Sequence, residues 1–188
     1  IMGAGWSWDY QSDYYAAQIS ALSFNDNCID LIFSPSDSAG ELTVVQTEPS
    51  TDYVSVINRV VTVDSTAETH IVLERRRGTN TIVCTGTVPV GVEPVRDWVT
   101  VEDPALFAVT VFREVLERNG IEISGQTRVD TTDLKTVEDT SLQALHRSPP
   151  LDMIVYTINK ISQNLYAELL LRTLGHIEGG EGTARQGA

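Results

Sequence analysis

From residue 101 onward the hydrophobic period of this chain changes, and a fold built of strands alone or of helices alone does not satisfy both parts. Before that point, residues 29–33, 42–47, 70–74 and 81–88 are β-branched and alternating, and SPSDSAG, EPSTD and RRRGTN read as turns between them. These runs predict strands. After it, Asp103 is placed to cap a helix and Pro104 to occupy its first position. Leu106, Val109, Phe112, Val115 and Leu116 then recur as a buried stripe until Asn119-Gly120. Residues 121–123 read as a short returning strand. The expectation is an α+β chain: an antiparallel β unit over 26–96, and a helix at 104–119 whose Leu106, Phe112 and Leu116 face packs on a separate sheet segment including 121–123.

A second boundary follows. Residues 126–150 are polar and end in Ser148-Pro149-Pro150, which forbids helix until Leu151. Beyond it, Leu151, Ile154, Val155 and Ile158 form one apolar helical face, and Lys160-Ile161 lead to Ser162. Ser162 reads as the N-cap of another amphipathic helix, in which Leu165, Leu169 and Leu170 repeat before Gly175 ends it.

With 26 acidic against 13 basic residues, the net charge of −13 repels both nucleic acid and an anionic membrane surface. The same acidity keeps a chain soluble. No apolar run is long enough to span a bilayer. In so acidic a chain, Arg75-Arg76-Arg77 reads as the solvated end of a hairpin rather than an anion site. His70, His146 and His176 are scattered, so neither a metal site nor a cofactor is expected. Cys28 and Cys84 are too few for a disulfide framework. Two buried free thiols are the favoured reading, and one bond remains open in an extracytoplasmic compartment.

Ser162-Gln163-Asn164 places a serine and an asparagine two apart at the start of a helix. Ser-x-Asn is one of three motifs of serine acyl-transfer enzymes acting on penicillin-like and D-alanyl-D-alanine substrates, beside Ser-x-x-Lys and Lys-Thr-Gly. The other two are missing. The two lysines, Lys135 and Lys160, have Thr132 and Thr157 three residues before them, and Lys135-Thr136 is followed by Val137.

Four blocks extend the match: GWSWDYQSDYYAAQISALSFNDNCIDL at 5–31, VEDPALFAVTVFREVLERNGIEISG at 101–125, HRSPPL at 146–151 and INKISQNLYAELLLRTLG at 158–175. In this order they closely resemble the D-alanyl-D-alanine carboxypeptidase/endopeptidase family, the low-molecular-mass class C penicillin-binding proteins of bacterial cell-wall metabolism. In that family the nucleophile motif lies upstream of the first block and Lys-Thr-Gly downstream of the last, so the resemblance implies an internal piece of a longer enzyme, inactive by itself.

The resemblance also implies an organisation. Residues 1–25 and 97–145 are expected to form an inserted α+β domain, 26–96 a smaller β subdomain, and 146–188 part of the penicillin-binding, β-lactamase-like catalytic domain. Ser162 is then the second active-site serine, relaying a proton between the missing lysine and the departing D-alanine nitrogen. Asn164 donates its amide to the substrate's penultimate carbonyl, and Gln163 has no role, its side chain turned away from the cleft. The family often has two acids after the second tryptophan of GWxW, the second of which helps bind the free amino end of the stem peptide. Here that pair is Asp9-Tyr10, leaving Asp9 as the candidate contact, with Trp6 and Trp8 as packing residues. The implied partners of the longer enzyme are peptidoglycan stem peptides and β-lactams, with no cofactor, in an extracytoplasmic location such as the periplasm. The competing reading is a non-catalytic binding or structural module derived from the inserted domain. Retention of Ser162, Asn164 and the Tyr166-Ala167-Glu168 turn argues for the enzyme.

Overall fold

The computed structural model describes residues 7–129 and 145–188; Trp6, the side chain of Trp8 and the stretch around Lys135 lie outside the described residues. The chain forms two units, Ile1–Thr127 and Arg128–Ala188. The first contains six strands, β1 (Cys28–Ser34), β2 (Val44–Glu48), β3 (Ser55–Val63), β4 (His70–Arg75), β5 (Thr81–Pro89) and β6 (Val95–Thr100), then helix α1 (Pro104–Arg118). The second contains α2 (Leu151–Ile161), α3 (Asn164–Gly179) and the short α4 (Ala184–Gly187). The α+β expectation holds.

The strands make two three-stranded sheets, ordered β2-β1-β6 and β3-β5-β4. In the first, β1 pairs antiparallel with both neighbours, so that Leu31 lies opposite Thr47 and Asp97. In the second, β5 runs antiparallel to β4 but parallel to β3. The fully antiparallel unit expected over 26–96 is therefore corrected. The reason lies in burial: β5 brings Ile82, Cys84 and Val88 to the interior, and the most buried strand of this sheet takes the centre between β3 and β4. Leu42 bridges to Val61, joining the two sheets at one edge.

One core serves both sheets. Ile29, Leu31 and Phe33 alternate inward from β1, and they meet Val60, Ile82, Cys84, Val88, Val99 and Val101, with Phe107 and Val111 from α1. Each such fully buried side chain contributes about 1.5–3 kcal/mol. This cluster extends in sequence from Ile29 to Val111. Both cysteines are buried free thiols, and burial pushes each up to about 12.

Helix α1 starts as its sequence predicts. Asp103 Oδ1 accepts from the Leu106 amide at 3.2 Å, and Pro104 follows. Its buried face differs from the expected one: Phe107 and Val111 point inward while Phe112 is 62% exposed. Phe107 is held between Tyr53, at 5.4 Å between ring centroids, and Phe24, at 5.7 Å. Tyr53 Oη in turn donates to the carbonyls of Glu102 and Asp103, at 2.7 and 2.9 Å. These aromatic and hydrogen-bonded contacts set the rotation of the helix. Residues 121–123 form no strand. Arg113 ties them to α1 instead, its Nη2 donating to the Ile123 carbonyl at 3.0 Å.

Arg75 is also corrected. It is 1% exposed, whereas Arg76 and Arg77 are exposed. Its guanidinium donates to Glu102 Oε2, to the Thr79 carbonyl and to the Gln11 carbonyl, at 2.7, 3.0 and 3.1 Å. Its own amide donates to Ser12 Oγ at 2.9 Å, and its carbonyl accepts from Gln11 Nε2 at 3.1 Å. Residues 11–12 thereby strap the ends of β4 and β6, since the Thr100 hydroxyl also donates to the Gln11 carbonyl.

Candidate functional site

The Ser-x-Asn tripeptide sits on the link between α2 and α3. Pro150 holds the cap position before α2 with extended backbone, φ −55° and ψ 151°, and the helix runs to Ile161. It stops because Ser162 adopts the left-handed conformation, φ 56° and ψ 46°. The Ser162 and Gln163 amides then both turn back to the Ile158 carbonyl. A non-glycine residue held there costs of order 1 kcal/mol.

Ser162 is thus the end of α2, not the N-cap of α3. Gln163 holds the cap position, its carbonyl accepting from the Ala167 amide at 3.3 Å, and makes no side-chain cap. Asn164 is the first helical residue. Exposure alternates through the tripeptide: Ser162 is exposed, Gln163 buried, Asn164 half-buried and Leu165 buried. The strained link turns the serine hydroxyl outward while the glutamine and leucine anchor the helix start inward.

Helix α3 continues past Gly175, the end expected from sequence, to Gly179. The left-handed stop is Gly180, φ 86°, whose amide donates to the His176 carbonyl at 3.0 Å. Gly175 serves close approach instead. A Cβ there would fall 2.4 Å from the Thr183 carbonyl oxygen, and one on Gly187 would fall 1.8 Å from that of Leu171. Short α4 therefore lies directly on the α3 backbone, positioned by the Thr183–Gln186 capping box.

Beside the link, α2 and α3 enclose an apolar groove lined by Leu151, Ile154 and Thr157 from one helix and by Tyr166, Leu169 and Leu170 from the other. Helix α2 buries none of its residues, and Leu151, Met153 and Tyr156 are 59, 59 and 66% exposed. Glu168 and Arg172 stand one turn apart on α3 at 3.9 Å.

Asp9 belongs to the other unit. It lies exposed in the single turn Trp8–Tyr10, and its carboxylate accepts from the Ser7 hydroxyl. The structure brings Ser162 and Asn164 together on one short link and leaves Asp9 apart in sequence and in unit. The neutral thiols of Cys28 and Cys84 are not available as nucleophiles. Among the described residues there is no His/Cys/Asp/Glu group able to hold a metal, and no helix is long and apolar enough to cross a membrane.

Comparison with known proteins extends along the chain. Residues 1–188 match the sequence profile of the D-Ala-D-Ala carboxypeptidase 3 (S13) family. A D-alanyl-D-alanine carboxypeptidase of Actinomadura sp. (strain R39) is 32% identical over 183 residues, covering 94% of this chain and 34% of the relative. Penicillin-sensitive carboxypeptidase A of Dictyostelium discoideum is 28% identical over 179 residues, covering 92% of this chain and 33% of the relative. The chain thus spans about a third of the length of these curated relatives. A crystal structure of penicillin binding protein 4 from Haemophilus influenzae superposes with a TM-score of 0.72 at 19% identity, over 98% of this chain and 40% of that one. A second crystal structure of that protein, complexed with a β-lactam, gives 0.63 at 18% identity, over 89% and 38%. At such identities the likeness is one of fold.

Proposed function

Because the chain belongs to the D-Ala-D-Ala carboxypeptidase 3 (S13) family, we propose that it is part of an extracytoplasmic serine carboxypeptidase/endopeptidase that acts on peptidoglycan stem peptides through an acyl-enzyme. Residues 146–188 are assigned to its penicillin-binding domain, with 1–25 and 97–145 as an inserted domain and 26–96 as a β subdomain. The observation that carries the reading is the Ser162 link: an exposed serine on strained backbone, two residues before a half-buried asparagine, with the residue between them turned inward.

In the proposed reaction a serine of a Ser-x-x-Lys motif, which this sequence does not contain, gives its proton to that motif's lysine and attacks the carbonyl between the two D-alanines. The C–N bond breaks and the departing D-alanine nitrogen gains a proton. Ser162 Oγ passes that proton from the lysine to the nitrogen, and Asn164 donates its amide to the penultimate carbonyl. Neither residue is the nucleophile, since a serine hydroxyl needs an adjacent base to attack. Asp9, exposed on its turn, is assigned to the free amino end of the stem peptide.

Two samples test this. The 188-residue chain incubated with a fluorescent penicillin should give no covalently labelled band on denaturing electrophoresis, while a polypeptide that joins it to Ser-x-x-Lys and Lys-Thr-Gly segments should be labelled. A labelled band from the short chain, or none from the long one, overturns the reading.

A further inference from the structure

A row of aromatic rings lies on the first unit, away from its core. Tyr10, Tyr15, Tyr14 and Trp98 follow one another edge to face, with centroids 5.7, 5.6 and 5.9 Å apart. Packing of this kind normally belongs to an interior. Here Tyr10 is 43%, Tyr14 42% and Trp98 44% exposed. The row opens onto a pocket of about 350 Å³, to which β4 contributes Ile71, Val72 and Leu73, and Val72 is itself 46% exposed. Contiguous apolar surface left to solvent marks an interaction site.

The polar lining narrows the occupant. Asp13 and Asp97 line the pocket, and each already accepts a donor from its own chain: Tyr15 Oη reaches Asp13 Oδ2 at 2.6 Å, and the Trp98 amide reaches Asp97 Oδ1 at 2.8 Å. A carboxylate so engaged keeps one oxygen to accept from a hydroxyl or amide. A sugar ring fits this lining, with an apolar C–H face against the negative face of an aromatic ring and hydroxyl and amide donors around its edge. An anionic ligand is repelled by the two carboxylates.

The geometry points to a carbohydrate-binding platform, with Tyr14 and Trp98 as its stacking surface and Asp13 and Asp97 as its acceptors, taking the amino-sugar strand of the cell wall. The choice of that strand rests on the function proposed above. The role is additional to peptide cleavage: it holds the polymer that carries the stem peptides rather than the scissile bond, and it uses neither Ser162, Asn164 nor Asp9.

Calorimetric titration of the chain with the tetramer of β-1,4-linked N-acetylglucosamine tests it, with a lysine tripeptide as the cationic probe. The tetramer should bind with a Kd of roughly millimolar or tighter. Trp98→Ala and Tyr14→Ala should each weaken binding by about tenfold, the loss of one stacked ring, while Trp98→Phe keeps most of it. Both side chains are partly exposed, so the unfolding curves of all three variants should stay those of the parent chain. Heat from the tripeptide but not the tetramer, no heat from either, tetramer binding indifferent to both alanine variants, or self-association through this face abolished by Trp98→Ala would each overturn the inference. Penicillin labelling of the longer polypeptide is independent of this surface. Labelling without sugar binding removes the platform and leaves the enzyme; sugar binding without labelling does the reverse.

Discussion

Arg75 Nη1 lies 2.7 Å from Glu102 Oε2, joining the end of β4 to the segment between β6 and α1. The arginine is 1% exposed and the glutamate side chain 34%. Burial by itself raises the Glu102 carboxyl, but hydrogen bonds from Gln18 and Arg75 together with the Arg75 charge outweigh it, and the group lies below its ordinary value of 4.5. The pair therefore stabilises the fold at pH values above the ordinary carboxylate range.

Breaking this pair should be costly. Removing one partner of a buried ion pair costs about 3–5 kcal/mol, and partial exposure of Glu102 brings the expectation for Glu102→Gln down to about 2. Because the folded carboxyl is held low, its stabilisation is complete above pH 4.5 and is lost as pH falls through the lower folded value. Urea unfolding between pH 3 and 7 should show a steeper acid loss for the parent chain than for Glu102→Gln. Parallel curves would remove the pair's role.

The two thiols give the opposite sign. Burial, together with Asp26 and Asp30 for Cys28 and Asp97 for Cys84, raises each from 9.0 to about 12. The protonated thiol is favoured in the folded chain, so this stability is complete below pH 9 and declines as pH rises toward 12. At pH 8 a thiol-specific reagent should label neither cysteine in the folded chain and both after denaturation. Rapid labelling of either in the native state would contradict their burial.

Gly86 sits inside β5 with φ +129°, and a Cβ there would lie 1.9 Å from the His70 carbonyl oxygen across the ladder. Gly86→Ala should therefore destabilise the first unit by about 3 kcal/mol, combining backbone strain with overpacking. Gly40→Ala is the control, since its φ of +94° strains an added side chain but nothing lies within 4 Å of it. Thermal unfolding should rank Gly86→Ala well below Gly40→Ala.

What the sequence made legible follows from whether the signal is local. Strands β1, β4 and β5 announced themselves through alternation, and Asp103-Pro104 through cap chemistry. Strands β3 and β6 did not, because Asn58-Arg59 and Arg96-Asp97 interrupt their apolar runs and pairing with β5 and β1 decides them. Arg75 was within reach: Ile71, Leu73 and Arg75 share one parity of β4, and that parity faces inward. Gly175 was ambiguous, since a stop and a close approach use the same residue and only α4 distinguishes them. The exposure of Ser162 depends on a left-handed serine, which local propensity disfavours.

That serine link carries the last prediction. In a polypeptide that supplies Ser-x-x-Lys, Ser162→Ala should slow acylation by penicillin by about two to four orders of magnitude, the usual cost of a proton-transfer group. Asn164→Ala should cost about two to three, the cost of one stabilising donor. Neither should shift the melting temperature much, because Ser162 is exposed and Asn164 half-buried. Gln163 should behave inversely. It is 6% exposed at the start of α3, so Gln163→Ala removes buried packing and lowers the melting temperature while leaving the acylation rate within about tenfold of the parent. Ser162→Gly separates the two roles of the serine: it relieves the strain of φ 56° and holds or raises stability, yet loses the hydroxyl and should be as slow as Ser162→Ala. Acylation rates near the parent value for either Ser162 variant, or equal rate losses at Gln163 and Asn164, would show that this link only joins two helices.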